Sequence, residues 1–262
     1  MSHSYYRGRT ALVTGASSGI GADLARQLGA AGARVLLVAR RERALSEVAG
    51  AVVRAGGTAA VFAADLEPAG AAAALADRVD EAGETVDVLV NNAGFGAQGP
   101  LLETDVGQVE GMVGLNVAAL TGLTRRLTPG MVARGRGGVL NVASIAAFTP
   151  APGFAVYAAT KAYVLSFTEA LWAELRDTPV HVTCLCPGPV RTEFGDRAGM
   201  ADRFFAGALP SGRVAREGLD GLAAGRRRVV PGWTNKVQTA ATRLVPPAAL
   251  LRATGLIVDR AS

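Results

Sequence analysis

Short apolar runs rich in β-branched residues alternate with alanine-rich segments along the whole chain. The apolar runs predict seven strands, at 10–14, 34–39, 58–64, 86–91, 137–143, 180–186 and 227–230. The segments between them predict helices at 19–31, 41–55, 68–82, 105–134 and 154–177. Because a helix between two strands makes a right-handed crossover, this alternation predicts an α/β fold, with a parallel, doubly wound sheet covered by helices on both faces.

Length and composition are consistent with one domain spanning residues 1–262. Half of the 262 residues are apolar and 19% are charged, as expected for strands covered on both faces, and no linker rich in proline or serine divides the chain. Residues 188–212 contain no clear element and are predicted to form a lid over the substrate, because long loops in compact domains are often functional. Residues 234–262 are predicted to be a C-terminal extension without an assignable motif.

Composition also excludes several classes of function. No apolar run reaches the roughly 18 residues of a membrane span, so the sequence predicts a cytoplasmic protein without a transmembrane segment. The net charge is +5, but the arginines are scattered and aromatic residues make up only 5%, which argues against nucleic-acid binding. Cys184 and Cys186 share one side of a predicted strand, with His181 as the only nearby ligand candidate. We therefore expect core thiols and no metal site.

A glycine-rich segment follows the first predicted strand and opens the first predicted helix. Its spacing, Gly-x3-Gly-x-Gly, allows a sharp turn, a close approach of a ligand to the backbone, and tight packing of the helix on the strand. The N–H groups at the start of that helix suit the pyrophosphate of a dinucleotide. The residues predicted to bind it are Thr14, Gly15, Ser17, Ser18, Gly19, Ile20 and Gly21. A glycine-rich turn without a ligand is the alternative interpretation.

Polar residues or glycines follow most of the other predicted strands. In a doubly wound sheet the ligand lies beyond the carboxyl ends of the strands, so these positions should meet at one edge. The segments at these strand ends contain Arg40, Asp65, Leu66, Asn91, Asn92, Ala93, Gly94, Ser144, Pro187, Gly188, Val190 and Thr192. After the second strand, an NAD site would place a carboxylate, but this chain has Arg40, which suits a 2′-phosphate. The sequence therefore predicts that NADP(H) is preferred over NAD(H).

Tyr157 and Lys161 are four residues apart in a predicted helix, so their side chains share one face. Lysine is rare in this chain, because only Lys161 and Lys236 among the 27 basic residues are lysines. An ammonium is compact enough to donate to a small polar group beside a phenol, and a fixed cation lowers the pKa of the phenol. The pair therefore predicts an acid–base tyrosine. A solvated helix face is the alternative that this spacing alone leaves open.

Together these motifs resemble those of the short-chain dehydrogenase/reductase family, in the subgroup with a Thr-Gly-x-x-x-Gly-x-Gly turn, over residues 9–233. The resemblance implies a single Rossmann domain with a seven-stranded parallel sheet. It also implies a catalytic tetrad formed by Asn116, Ser144, Tyr157 and Lys161.

The resemblance further implies where a nicotinamide cofactor would be bound. Asp65 would lie near the adenine, Asn92 near the nicotinamide ribose, and Val190 and Thr192 near the carboxamide. Tyr157 and Lys161 are implied to contact the cofactor as well as the substrate. One position departs from some NADP-dependent members, which carry a basic residue where this chain has Ser18. Arg40 would then carry most of the preference for the 2′-phosphate, with help from Arg41 or Ser17.

The implied reaction is the reversible reduction of a ketone or aldehyde to an alcohol. Ser144 would donate a hydrogen bond to the carbonyl oxygen, Tyr157 would donate the proton, and Lys161 would stabilise the phenolate. Asn116, an amide in a long apolar helix, would hold an ordered water that links it to Lys161.

The substrate is expected to be a hydrophobic carbonyl compound. The residues that would line its pocket are Ile145, Phe148, Phe194, Met200, Phe204, Phe205 and Leu209. These side chains could equally pack the lid onto the domain. Two other functions stay open as alternatives: a non-catalytic sensor or scaffold that binds NADP(H), and a membrane-associated lipid carbonyl reductase anchored by Leu244 to Val258.

The apolar surface of two helices predicts self-association. Helix 154–177 is apolar on nearly every side, and the neighbouring helix 105–134 has a similar excess. Leaving both exposed would create a larger apolar patch than soluble monomers usually tolerate. Because the resemblance implies dimers and tetramers, we expect a homodimer or homotetramer that packs behind Tyr157.

Overall fold

The computed structural model describes residues 3–199, 201–205, 207–242, 245 and 250–251. Seven parallel strands form one sheet in the order β3-β2-β1-β4-β5-β6-β7. The strands are β1 (Thr10–Thr14), β2 (Arg34–Ala39), β3 (Thr58–Ala63), β4 (Val88–Asn91), β5 (Gly137–Val142), β6 (Val180–Leu185) and β7 (Arg228–Val229). The predicted doubly wound α/β fold is thereby confirmed.

Helices cover both faces of the sheet. They are α1 (His3–Tyr6), α2 (Gly19–Ala30), α3 (Glu42–Arg54), α4 (Ala71–Glu81), α5 (Val106–Val113), α6 (Leu120–Ala133), α7 (Ala155–Glu174), α8 (Glu193–Arg197), α9 (Ser211–Ala223) and α10 (Trp233–Ala241). Alternate strand residues point to opposite faces, so Val13 packs with α2, α3 and α9, whereas its neighbour Leu12 packs with α4 and α6. None of the described helices is both long and apolar enough to cross a bilayer.

The pattern of the sequence does not predict α9 or α10. Helix α9 contains glycines at positions where a side chain would collide with the sheet. A Cβ on Gly218 would lie 2.8 Å from Leu185, and one on Gly221 would lie 2.2 Å from Val229. These glycines lower the helix propensity but allow close packing, so tertiary structure decides the conformation here. The predicted lid also contains α8 and a 3-10 turn at Asp202–Phe205.

The predicted helix 105–134 is interrupted near its middle. Helices α5 and α6 are joined by a π-helical segment, Gly114–Ala119, which contains the buried Asn116. Such π-helical turns are rare and often occur at functional sites. Here the amide of Asn116 bonds to the backbone of Phe95, which is consistent with the local widening of the helix.

Candidate active site

Strands β1 and β4 are neighbours at the centre of the sheet, where the order of the strands reverses. At such a switch point the loops at the carboxyl ends diverge and leave a crevice. The structure has a cleft of about 670 Å3 at this place, lined by the glycine turn, by the segments that follow strands β2 to β6, and by Tyr157 and Lys161. Of the residues predicted for the cofactor site and the catalytic tetrad, Thr14, Asn91 and Asn116 do not line this cleft.

The glycine turn is packed so closely that side chains in place of its glycines would collide with neighbouring residues. Gly15 and Gly19 have positive φ angles of 64° and 54°. A Cβ on Gly21 would lie 2.2 Å from the carbonyl oxygen of Gly15, and one on Gly19 would lie 2.9 Å from Thr192. The side chain of Ser18 does not cap α2, so first-turn N–H groups are available to an anion. The turn therefore fits a pyrophosphate.

Thr14 lies behind the cleft and holds two strand ends together. Its hydroxyl accepts hydrogen bonds from the backbone N–H groups of Asn92 and Ala93, both at 3.0 Å. The side-chain amide of Asn92 donates in return to the carbonyl oxygens of Thr14 and Gly15, at 3.0 and 3.2 Å. The segment after β4 is thus fixed against the glycine turn. Thr14 therefore positions these two segments, and its contact with the cofactor stays a prediction.

Two ion pairs cross the end of the cleft where the 2′-phosphate is expected. Arg40 bonds to Glu67 at 2.8 Å, and Arg41 bonds to Glu193 at 2.6 Å and to Ser17 at 3.3 Å. Both arginines are substantially exposed, with 52% and 43% of their side chains accessible. Each guanidinium that could meet a phosphate therefore already has a carboxylate partner. Sequence reasoning missed Glu67 and Glu193, although Glu67 follows directly after the predicted positions Asp65 and Leu66.

Tyr157 lies in the first turn of α7, in a half of the cleft dominated by aromatic side chains. Its ring centre lies 6.4 Å from that of Phe154 and 5.5 Å from that of Phe194. Burial raises the pKa of Tyr157 to about 12, while its hydrogen bond with Ser144 acts in the opposite direction. The expectation of a lowered pKa for Tyr157 is therefore wrong, because desolvation dominates.

Lys161 is buried below the cleft floor. Its amine donates to the carbonyl oxygen of Val142 at 2.9 Å and lies 5.7 Å from the centre of the Tyr157 ring. Burial lowers the pKa of Lys161 to about 8, and the neighbouring Cys184 and Cys186 act in the opposite direction. Both cysteines are free and buried, as predicted for core thiols.

Asn116 is buried behind the loop that follows β4. Its Oδ1 accepts from the N–H of Phe95 at 3.1 Å, and its Nδ2 donates to the carbonyl oxygen of Phe95 at 2.9 Å and to the Thr160 hydroxyl at 3.0 Å. The Thr160 hydroxyl in turn donates to the carbonyl oxygen of Tyr157 at 2.8 Å. Protein groups therefore satisfy the hydrogen-bonding atoms of this amide, and its burial is no longer an argument for an ordered water. Asn116 instead connects the loop after β4 to the helix that carries Tyr157.

The remaining half of the cleft is apolar. Its lining residues around Tyr157 are Phe95, Ile145, Ala146, Thr149, Ala151, Phe154, Phe194, Phe204 and Phe205, with Gln238 of α10 as a further polar group. Of the residues predicted for the substrate, Phe148 and Leu209 pack into hydrophobic clusters instead, and Met200 lies outside the described residues. Sequence reasoning missed Phe95, Phe154 and Gln238, because nothing in their local pattern shows which way these side chains point.

Comparisons with known proteins agree with this geometry. Residues 9–201 match the family model described as short chain dehydrogenase. The chain is 35% identical over 183 residues to the ketoacyl reductase HetN of Nostoc sp., and 36% identical over 188 residues to the fatty acyl-CoA reductase of Acinetobacter baylyi. These matches cover 70% and 71% of this chain and 64% of the length of each relative, so the chain spans less than two thirds of either protein.

Solved structures show the same fold. A short-chain dehydrogenase from Sphingobium yanoikuyae in complex with NADPH has a TM-score of 0.80 and 30% identity, and the match covers 90% of this chain and 94% of that one. A 7β-hydroxysteroid dehydrogenase has a TM-score of 0.87 and 25% identity, and the match covers 97% of this chain and 100% of that one. A short-chain dehydrogenase/reductase from Burkholderia phymatum in complex with NAD has a TM-score of 0.81 and 27% identity, and the match covers 92% of this chain and 93% of that one. From the extent of the family match and the shared fold, the chain belongs to the short-chain dehydrogenase/reductase family of oxidoreductases.

Proposed function

We propose that this protein reduces a hydrophobic ketone or aldehyde to the alcohol, reversibly, with NADP(H) as its preferred cofactor. The observation that carries the proposal is the convergence of Ser144, Tyr157 and Lys161 in the half of the cleft that is lined by phenylalanines. A proton donor, a hydrogen-bond donor and a cation are thereby placed beside a surface suited to an apolar substrate.

The glycine turn and the segments after β4 and β6 are the residues that would hold the dinucleotide. The glycines support this fit, because an added Cβ would collide with Asn92 or Thr192, or with the carbonyl oxygen of Gly15 itself. Only glycines therefore allow the tight turn that exposes its backbone to a pyrophosphate. When bound, the nicotinamide supplies the hydride. The solved relatives include proteins in complex with NADPH and with NAD, so the preference for NADP(H) rests on Arg40 and Arg41.

Tyr157 is the proposed proton donor. With a pKa of about 12, its phenol is protonated at neutral pH and can give its proton to the carbonyl oxygen of the substrate. The Ser144 hydroxyl donates a hydrogen bond to the same oxygen, where negative charge develops. Lys161 then stabilises the phenolate, which is costly to form in a buried site without a nearby cation. Asn116 and Thr160 hold the backbone of Tyr157 in position.

The substrate is proposed to be bulky and apolar around its carbonyl group. Apart from Lys161, which is buried and bonded to the backbone, the residues named above as the lining around Tyr157 carry no charge. A carboxylate or phosphate beside the reacting carbon would lose its hydration without gaining a partner. Similarity to a ketoacyl reductase, a fatty acyl-CoA reductase and a hydroxysteroid dehydrogenase supports large hydrophobic substrates, although these names describe the relatives.

The experiment that tests this function measures NADPH oxidation with paired carbonyl compounds. Each pair contains a bulky apolar ketone or aldehyde and an analogue with a carboxylate next to the carbonyl. We expect turnover with apolar members and a much higher KM or no turnover with their charged analogues. Absence of NADPH oxidation with every compound, or a consistent preference for the charged analogues, would contradict the proposal.

We also propose that the protein is a homodimer or homotetramer assembled through α6 and α7. Tyr163 of α7 is 39% exposed, stacks on Phe167 at 5.8 Å and hydrogen-bonds to Thr121 of α6, so an ordered aromatic surface faces outward. Light scattering should give at least twice the monomer mass of 26.7 kDa. A mass equal to that of the monomer would be inconsistent with assembly. The cytoplasmic location stays a prediction.

A further inference from the structure

Helix α10 buries polar side chains and exposes apolar ones, the reverse of the usual arrangement. Its polar residues Asn235 and Thr239 are only 9% and 7% exposed, whereas Trp233 and Val237 are 77% and 48% exposed. Each pair is separated by four residues, so one face of the helix buries polar groups and another presents an indole and a valine to solvent. Helices at a protein surface normally place their apolar residues inward.

Contacts on the buried face fix this orientation. The amide of Asn235 donates to the carbonyl oxygen of Pro231 at 2.7 Å, and the hydroxyl of Thr239 donates to the carbonyl oxygen of Asn235 at 2.9 Å. Asn235 also packs against Gly188, where an added Cβ would lie 2.4 Å from the amide nitrogen. The two hydrogen bonds are local to the helix and satisfy its buried polar groups. The contact of Asn235 with Gly188 joins the helix to the rest of the domain and would be lost if the helix rotated to bury Trp233. The exposed indole is therefore a stable feature of the surface.

The same part of the chain is strongly basic. Residues 221–258 include six basic residues and no acidic residue, whereas the net charge of the chain is only +5. Arg227 and Arg228 of this segment are paired with Glu169, at 3.5 and 3.3 Å. Lys236 has no acidic partner among the described residues, and it lies between Trp233 and Val237 in the sequence. The exposed apolar face is thus accompanied by cationic charge.

We propose that the Trp233 face of α10, defined by Trp233, Lys236 and Val237, docks on the surface of an anionic lipid bilayer. The indole and valine enter the boundary between headgroups and acyl chains, and Lys236 lies among the lipid phosphates. A second copy of the chain is a poorer occupant, because a two-fold contact on this face would bring two Lys236 ammonium groups together, each without an acidic partner among the described residues. Nucleic acid is also poorer, because a single exposed indole is not a stacking platform.

Docking would place the cleft close to the lipid. Gln238 lies next to Val237 on α10 and lines the cleft, so the docking face and the cleft are formed by the same helix. A hydrophobic substrate dissolved in the bilayer would have a short path to Tyr157. Lipid binding itself does not depend on the proposed reaction, and the experiments below do not measure turnover.

Fluorescence can test the docking face directly. The chain has two tryptophans, and Trp172→Phe leaves Trp233 as the only one. In this variant we expect red-shifted emission in buffer and a blue shift with mixed phosphatidylcholine–phosphatidylglycerol vesicles. Pure phosphatidylcholine should give a much smaller shift, and salt should reverse the effect. Blue-shifted emission before vesicles are added would overturn the proposal, because protein would already cover the indole.

Cosedimentation of the otherwise unmodified protein provides the second test. Trp233→Ser combined with Lys236→Glu should weaken binding to the anionic vesicles by at least tenfold, since each basic residue near such a surface contributes about fivefold. The matched control is Val53→Ser with Arg54→Glu on α3, where Val53 is 58% exposed, and this variant should bind like the unmodified protein. Equal loss in both variants, no binding to anionic vesicles, or selective binding to duplex DNA would each overturn the proposal.

Discussion

The two ends of the cleft are stabilised in different ways. At the catalytic end, buried side chains bond to backbone groups: Lys161 to Val142, and Asn116 to both backbone groups of Phe95. At the opposite end, around Arg40, where the adenosine is proposed to bind and which we call the adenosine end, exposed side chains bond to each other, as in the pair formed by Arg40 and Glu67. One end is anchored to the backbone, whereas the other is held by contacts between long charged side chains.

Because of this difference, substitutions at the two ends should affect different properties of the enzyme. A buried polar group that loses its partner costs about 1–3 kcal/mol, so the partners at the catalytic end are strongly constrained. An exposed ion pair contributes only about 0–1 kcal/mol, so a phosphate can displace its carboxylate at little cost. Substitutions at the catalytic end should therefore abolish turnover, whereas substitutions at the adenosine end should change only which cofactor is used.

The largest expected effect is that of Tyr157→Phe. Removing the phenolic proton should lower kcat by about 10²- to 10⁴-fold, the usual contribution of a positioned acid. NADPH affinity should stay within a few-fold, because the ring and its packing on Phe154 and Phe194 are retained. Steady-state kinetics and cofactor titration measure the two quantities. Retained turnover would show that another group donates the proton.

Lys161→Met should have a large effect with a distinct pH dependence. The ordinary pKa of 10.5 is lowered to about 8 in the folded protein, so the unfolded chain binds more protons between these values. The unfolding free energy of the unmodified protein should therefore rise with pH across this window, relative to the variant, by at most about 1.4 kcal/mol per pH unit. Below pH 8 the difference should level off.

Denaturant unfolding of both proteins at several pH values measures this effect. Other titrating groups are common to the two proteins, so they cancel in the difference between the two unfolding free energies. The variant should also lose turnover and bind the cofactor less tightly. A difference in unfolding free energy that is independent of pH from 7 to 11 would mean that Lys161 is not desolvated in the folded protein.

At the adenosine end, Arg40→Asp should change cofactor preference without abolishing catalysis. Loss of a charge-assisted contact to the 2′-phosphate should reduce the ratio of kcat/KM for NADPH to that for NADH by roughly 10- to 100-fold. The kcat with saturating NADH should remain close to that of the unmodified protein. An unchanged ratio would assign the preference to Arg41, which bonds to Ser17 and Glu193.

The same contrast explains how much the sequence could predict. The spacing of the glycines in the turn, the alternation of strands and helices, and the spacing of Tyr157 and Lys161 are local patterns in the sequence. The turn, the sheet and most cleft residues were therefore predictable. The pKa of Tyr157 was not predictable, because the burial of its ring depends on residues such as Phe194, which packs on it from a separate segment of the chain. Nor were the partners Glu67 and Glu193, since Arg41 and Glu193 are 152 residues apart. Helix α9 was missed because its glycines serve tertiary packing.

The smallest expected effect, that of Glu67→Gln, tests the adenosine end most directly. In the unmodified protein, a 2′-phosphate must displace the carboxylate of Glu67 from Arg40 before it can bind there. The glutamine side chain keeps the shape and one acceptor but removes the charge, so the affinity for NADPH should rise by up to about fivefold, the equivalent of an exposed pair. NADH affinity should not change, because NADH has no 2′-phosphate. The matched control is Glu47→Gln, which removes an exposed partner of Arg43 away from the cleft. Calorimetric titration of both variants with both cofactors measures these affinities. Weaker binding of NADPH to the Glu67 variant, or an equal gain in affinity for NADPH and NADH, would contradict the exchange of partners at Arg40.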